Sequence, residues 1–386
     1  MAVPLLILGA IGHTVLWIAL INRVHAIAFA RRWINALTLL FLALLVFAPL
    51  AVAAALYFHY ANDSPTSRFF AFFAWGYLAL CTGVCLLSAA QRIYLAGHTE
   101  RAAAPANNHT QRINLRSELA TFAAPGFPTL LSRLPGNQVL TIYAQEKQIV
   151  IPRLAPAHVG LRIAHLTDLH MSGRFTQAFF ERVVEAVNAT SPDLIAITGD
   201  IVEGDRFLTW LPPTLGKLRA RNGVYYVLGN HDRRATESHI KSILAEQRLI
   251  HVGHEWKKVI VHGAPLIVAG NELPWFKPAA DFSACPSNTA DGWATRILLA
   301  HSPDQFQWAQ RNDCDLMLAG HLHGGQWRLP IIGAVTSPSA HGVRYAAGVF
   351  RAGNTVMHVS RGVGGLTPLR INCPPEIATL VLRAKA

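Results

Sequence analysis

The stretch LRIAHLTDLH, residues 161–170, decides how this chain is read. Its first half is an apolar run of strand length, and its end is Asp168-Leu169-His170, with two ligand-type side chains on alternate positions. A buried strand ending in such residues delivers them to one edge of a sheet, where ligands collect in α/β folds. The pattern recurs four times. DLIAIT leads into Gly199-Asp200, VYYVL into Gly229-Asn230-His231-Asp232, RILLA into His301-Ser302-Pro303, and DLMLA into Gly320-His321-Leu322-His323. Between the first two strands, Phe179, Phe180, Val183, Val184 and Val187 recur at helical spacing before Ser191-Pro192, which predicts a βαβ unit with a helix over 176–189.

Working outward, strands are expected within 139–151 and at 224–228, 258–261, 266–269, 296–300, 315–319, 354–359 and 377–383. A Pro-broken helical stretch is expected at 206–221 and a helix at 236–249. Residues 271–295, with Trp275, Phe276 and Trp293 among prolines, read as an insertion over one face. The fold class is α/β: a two-sheet β-sandwich flanked by helices, its strand-end loops gathered at one site and occupying residues 139–386.

The first ninety residues differ in character. Segments 36–58 and 69–90 carry no charged side chain and are long enough to span a bilayer, which takes about 20 apolar residues. Segment 3–21 is a third candidate, interrupted by His13. A cleaved signal peptide fits poorly, because no basic residue precedes the apolar run. Residues 1–90 are therefore expected to be a transmembrane region of about three helices, and 91–138, rich in Pro and Ala, a juxtamembrane connector. Arg23, Arg31 and Arg32 lie between the first two spans, Arg68 alone between the second and third, and Arg92, Arg101, Arg112 and Arg116 after the third. That bias predicts a multi-pass protein with its large domain on the cytoplasmic side.

The net charge is +12, from 34 Lys and Arg against 22 Asp and Glu. The basic residues are scattered, without the aromatic interleaving that a single-strand groove uses, so nucleic acid is not expected as a partner. Anionic lipid headgroups and a phosphate-bearing substrate fit better. The five cysteines form neither a zinc pattern nor a disulfide framework.

Two Asp, one Asn and four His, namely Asp168, His170, Asp200, Asn230, His301, His321 and His323, suffice for two four-ligand metal sites sharing one residue. Two divalent ions lower the pKa of a bridging water and clamp phosphoryl oxygens. Mixed imidazole, carboxylate and amide ligands suit Mn, Fe, Zn or Ni. An Asp is suited to the bridge. His231 stays free beside Asn230, as a proton donor or as a cation facing phosphate.

In their order, Asp-x-His, Gly-Asp, Gly-Asn-His-Asp, His-Ser-Pro and Gly-His-x-His resemble the calcineurin-like metallophosphoesterase superfamily. LRIAHLTDLH, GHLHGGQWRLP and SRGVGGLTPLRINCPPEI resemble its membrane-anchored bacterial branch. The resemblance covers roughly 158–383. It implies that Asp168, His170 and His323 bind a first metal, Asn230, His301 and His321 a second, and that Asp200 bridges them. It further implies that His231 protonates the leaving group or stabilises the transition state, with Asp232 orienting its ring. Manganese is the expected metal, and the bacterial inner membrane the expected location. Phosphoprotein is disfavoured as substrate, since Gly199-Asp200-Ile201-Val202-Glu203-Gly204 lacks the Asp-Arg-Gly of the protein phosphatases. The expected reaction is hydrolysis of a phosphodiester or pyrophosphate in a lipid-linked substrate such as UDP-2,3-diacylglucosamine of lipid A synthesis. Phospholipids, soluble phosphodiesters and a catalytically silent scaffold or sensor are the alternatives, and the oligomeric state stays open.

Overall fold

The computed structural model describes residues 2–98, 109–286, 288–289, 292–330 and 332–385. These form two compact units: three N-terminal helices with Pro338–Gly342, and the rest.

In the first unit α1 (Ala2–His25), α2 (Arg31–Ala61) and α3 (Pro65–His98) are all long and apolar enough to cross a bilayer. The segment starting at Val3 is thus as continuous as the other two. It stays helical through His13 because that side chain is satisfied by its neighbours. His13 Nδ1 lies 2.6 Å from the Tyr77 hydroxyl and its Nε2 3.0 Å from the Leu45 carbonyl. A Cβ at Gly12 would overlap the Cys81 carbonyl, so glycine lets α1 and α3 close on each other, as small residues do between helices in lipid.

The second unit begins with β1 (His109–Asn114), α4 (Leu119–Phe122), α5 (Phe127–Ser132), β2 (Thr141–Ile151) and β3 (Arg162–Leu166). Then come α6 (Gln177–Ala189), β4 (Leu194–Thr198), β5 (Val224–Val227), α7 (Glu237–Glu246), β6 (Leu249–His251), β7 (Trp256–Val261) and β8 (Ala264–Asn271). Two short strands, β9 (Asn288–Thr289) and β10 (Gly292–Trp293), precede β11 (Thr295–Ala300), α8 (Phe306–Arg311) and β12 (Leu316–Ala319). The chain continues through β13 (Arg328–Leu329), β14 (Gly333–Ala334), β15 (Gly348–Ala352), β16 (Thr355–Val359) and β17 (Glu376–Ala384).

One sheet has the order β1-β2-β17-β3-β4-β5-β6 and the other β15-β16-β12-β11-β8-β7. Strand alternation assigns the faces. Along β4, Leu194 and Ala196 pack between the sheets with Val268, Ile297, Leu316 and Val356, while Ile195 and Ile197 meet Phe179, Val183 and Leu244 of the helices outside. The result is the expected helix-flanked sandwich. β3, β4 and β5 run parallel in the first sheet, and β8, β11 and β12 in the second, so their carboxyl ends point the same way within each sheet.

Several local expectations are revised. The described part of 91–138 is folded structure rather than a connector: β1 pairs antiparallel with β2, and Leu115 and Phe122 enter the core. HTQRIN is an edge strand exposed along most of its length, so it carries no apolar alternation to read. Residues 206–221 form two 3₁₀ turns around Pro212-Pro213, not a helix. The helix expected over 236–249 stops at Glu246, because Arg248 turns the chain with φ of 64° and Leu249 starts β6. The strands expected at 258–261 and 266–269 pair as an antiparallel hairpin, its turn made by His262 and Gly263 with φ of 52° and 81°.

A buried polar cluster ties β2, β3, β16 and β17 together. Glu376, 1% exposed, pairs with Lys147 and with Arg361, whose Nε is 2.9 Å from its carboxylate. His358 Nδ1 lies 2.9 Å from His165 Nδ1, and burial pulls both rings below the ordinary histidine range. Burial pushes the Glu376 carboxyl up, but Lys147 and Arg361 outweigh it and hold the group well below its usual 4.5. With the folded pKa depressed, its contribution is present above pH 4.5 and is lost as pH falls through the folded value. Glu376→Gln is expected to destabilise the fold by about 3–5 kcal/mol near neutral pH, since two cations lose their buried partner. It should also shrink the loss of Tm below pH 4.5. Thermal unfolding in detergent across pH checks both.

Candidate metal centre

The strand ends of the two sheets meet here. Asp168 and His170 follow β3, Asp200 follows β4, Asn230 and His231 follow β5, His301 follows β11, and His321 and His323 follow β12. Asp168, His170, Asp200, His301 and His321 are all at most 5% exposed. Asp168, His170, Asp200, His321 and His323 adopt φ between 47° and 70°. Side-chain-bearing residues rarely take that conformation, and here five of the seven expected ligands do. The turns behind them need glycine for close approach: a Cβ at Gly229 would overlap the Asp200 carboxylate, and one at Gly320 would overlap Thr167 and Asp168.

The donor atoms sort into two groups. His323 Nε2 is 3.4 Å from Asp168 Oδ1 and 3.1 Å from His170 Nε2. His301 Nε2 is 3.1 Å from Asn230 Oδ1 and 3.1 Å from His321 Nδ1. Asp200 lies between them, its Oδ2 being 3.4 Å from His170 Nε2 and 3.3 Å from His301 Nε2. Asp168–His170–His323 and Asp200–His301–His321 each form a cluster able to hold an ion.

The atoms behind the rings orient them. His301 Nδ1 donates to the Thr198 carbonyl at 2.7 Å, and His170 Nδ1 faces Glu203 Oε1 at 2.5 Å. In the neutral tautomers this leaves both Nε2 lone pairs aimed at the carboxylates, an arrangement of acceptors that only a proton or a metal cation satisfies. Electrostatics agrees. Burial pulls His301 down, but Asp200 and Asp168 outweigh it and raise it to about 9. Burial and Asp200 raise Asp168, whereas the surrounding histidines hold Asp200 well below the carboxylate range. The cluster favours positive charge at its centre, and the residues present fit a pair of divalent cations.

Asp232 requires a correction. It does not orient the His231 ring: its Oδ1 accepts from the N–H of Ile201 and Val202 at 2.8 and 2.9 Å, and its Oδ2 from Gly229 at 2.8 Å. It pins the loop after β4 to the loop after β5, and burial beside Asp200 pushes its carboxyl up to about 7. A side chain this short, one residue from the ring and turned back into a tight loop, reaches backbone N–H groups more readily than the imidazole.

Glu203, rather than Asp232, is the carboxylate that stands against the His231 ring. It lies 2.8 Å from His231 Nδ1 and 2.5 Å from His170 Nδ1, and pairs with Arg234. Burial pushes it up, but the two histidines outweigh that and bring it down to about 2. Its position three residues after Asp200 was the available signal. Glu203→Gln is expected to weaken metal binding by roughly 10–100-fold, the usual size for a partner of a ligand, with the fold intact; metal titration of the detergent-solubilised protein measures this.

Trp275 packs on His301 and His321 at 5.4 and 4.9 Å between ring centroids, so part of the 271–295 insertion covers the centre. Arg361 is engaged by Glu376, and buried Arg370 donates to the carbonyls of Arg361 and Gly364. His165 reaches the Thr198 hydroxyl at 2.8 Å and thereby the residue whose carbonyl holds His301.

A family profile described as calcineurin-like phosphoesterase matches residues 161–325. "Uncharacterized metallophosphoesterase YkuE" of Bacillus subtilis is 30% identical over 232 residues, covering 58% of this chain and 80% of that protein. "Phosphodiesterase YaeI" of Escherichia coli is 32% identical over 226 residues, covering 57% and 82%. "Transmembrane protein with metallophosphoesterase domain" of Bos taurus is 27% identical over 333 residues, covering 80% and 72%.

Proposed function

Because this chain belongs to the calcineurin-like metallophosphoesterase family, a family of hydrolases, we propose that it is a membrane-anchored phosphodiesterase working with two divalent cations. The observation that carries this reading is the placement of Asp200 Oδ2 between His170 and His301, which joins two donor groups through one carboxylate. Asp168, His170, Asp200 and His323 would hold one cation, and Asp200, Asn230, His301 and His321 the other. When bound, such a pair neutralises phosphoryl oxygens and activates water. His231, about 15% exposed and braced by Glu203, holds a proton for the leaving-group oxygen. Glu203 and the Thr198 carbonyl keep His170 and His301 in the tautomer that binds cations. Trp275 shields the second group from water.

Manganese is the cation we favour. The substrate we favour is a lipid-linked phosphodiester or pyrophosphate of the UDP-diacylglucosamine kind, at the cytoplasmic face of an inner membrane. Support for the lipid comes from the three bilayer-length helices, since confinement of enzyme and substrate to one surface raises their effective concentration. Support for the side comes from the three arginines of the first connection against the single one of the second.

Hydrolysis of bis-p-nitrophenyl phosphate by the full-length protein in detergent tests the reaction. Chelation is expected to abolish turnover and added manganese to restore it. A fully metallated preparation without turnover would favour a silent scaffold. Incubation with a bacterial lipid extract, followed by mass spectrometry of phosphate-bearing species, tests the substrate; an unchanged lipid profile alongside active hydrolysis of the soluble ester would remove the lipid reading.

A further inference from the structure

We propose that His251, His254 and Glu272 form a third divalent-cation site, of the zinc type, outside the centre described above. One ligand atom from each lies within 4.8 Å of the others. His251 Nε2 is 2.7 Å from Glu272 Oε1. Two imidazoles and a carboxylate with one position left open is a donor set that binds zinc.

The fold explains why these side chains meet. β6 lies beside β5, in parallel register Tyr226↔His251, and β8 lies beside β11, in parallel register Asn271↔Ala300. Residues following β5 and β11 supply Asn230 and His301 to the dinuclear centre. Residues ending or following β6 and β8, one strand further out, supply His251, His254 and Glu272 by the same geometry.

The outer site is built, not incidental to an exposed acid. Glu272 is 2% exposed, and among the described residues no Lys or Arg forms an ion pair with it. A Cβ at Gly253, between the two histidines, would overlap the Glu272 carboxylate, so glycine lets the 251–254 turn close over it. A Cβ at Gly270 would overlap the Val252 carbonyl on the same turn.

Its position connects it to the catalytic loops. Glu272 Oε1 accepts the Leu228 N–H at 2.5 Å, immediately before Gly229-Asn230-His231. The Glu272 carbonyl accepts the Trp275 N–H at 3.1 Å, and Trp275 covers His301 and His321. A cation on Glu272 would hold both segments, which makes the site a brace for the centre.

Zinc alone is the probe. The full-length protein in detergent is stripped by chelation, dialysed against zinc at a controlled free concentration, and counted by elemental mass spectrometry. His254 is exposed, so His254→Ala should keep the fold and bind about one zinc fewer per chain than the unsubstituted protein. In the Asp200→Asn background about one zinc should remain, and adding His254→Ala should remove it. An unchanged count on His254→Ala in both backgrounds overturns the proposal. Equal zinc in Asp200→Asn and the unsubstituted protein, with one lost on His254→Ala, would leave this site standing and remove the dinuclear reading instead.

Discussion

Asp200→Asn is expected to cost the protein both cations and its hydrolytic turnover while leaving the sandwich folded. Asp200 Oδ2 stands 3.4 Å from His170 Nε2 and 3.3 Å from His301 Nε2, so it belongs to both donor groups at once. The amide keeps the shape but removes the charge and offers one oxygen where the carboxylate offers two. Asp200 Oδ1 also accepts the His231 N–H at 2.8 Å, a bond that the remaining amide oxygen can make only by abandoning the metal side or the reverse. Metal affinity should fall by more than the roughly 10–100-fold seen when only an outer partner is lost. Elemental analysis and turnover on bis-p-nitrophenyl phosphate, with circular dichroism as the control for folding, read the result. Full metal content with full activity would refute the bridge.

His231→Ala separates chemistry from metal binding. Its Nδ1 is 2.8 Å from Glu203, and its ring meets His170 edge-on at 4.7 Å between centroids. One of its ligand atoms also lies within 4.8 Å of donor atoms of His170 and Asp200, so metal content has to be read together with rate. Removing it should leave the cations in place and lower kcat by roughly 10²–10⁴, the usual size of a general acid–base contribution. A leaving group that needs no protonation, such as p-nitrophenolate, should show the smaller loss, and an alkoxide leaving group the larger. If the variant lost its cations along with its rate, the role assigned to His231 would be wrong.

The gathering of Asp168, His170, Asp200, Asn230, His301, His321 and His323 at one place was legible because each follows an apolar strand, where position along the chain nearly sets position in space. Glu203 and Asp232 were less so. Both lie in loops, where one or two backbone angles redirect a side chain, so the carboxylate beside the His231 ring is Glu203 and not the adjacent Asp232. His165 and His358 are illegible for another reason: they sit 193 residues apart in sequence, on β3 and β16, and meet only because the two sheets pack face to face. β1 was missed because an exposed edge strand has no face to bury.

The sequence by itself determined the α/β class, three bilayer-length apolar segments and the ligand types at the strand ends. Those follow from periodicity and strand-end position, which are local properties of the chain. Only the tertiary structure decided which donors share Asp200, which carboxylate braces His231, and that a second histidine-carboxylate cluster forms one strand further out. Those depend on strand order and loop angles, and strand order is set by packing between residues hundreds of positions apart.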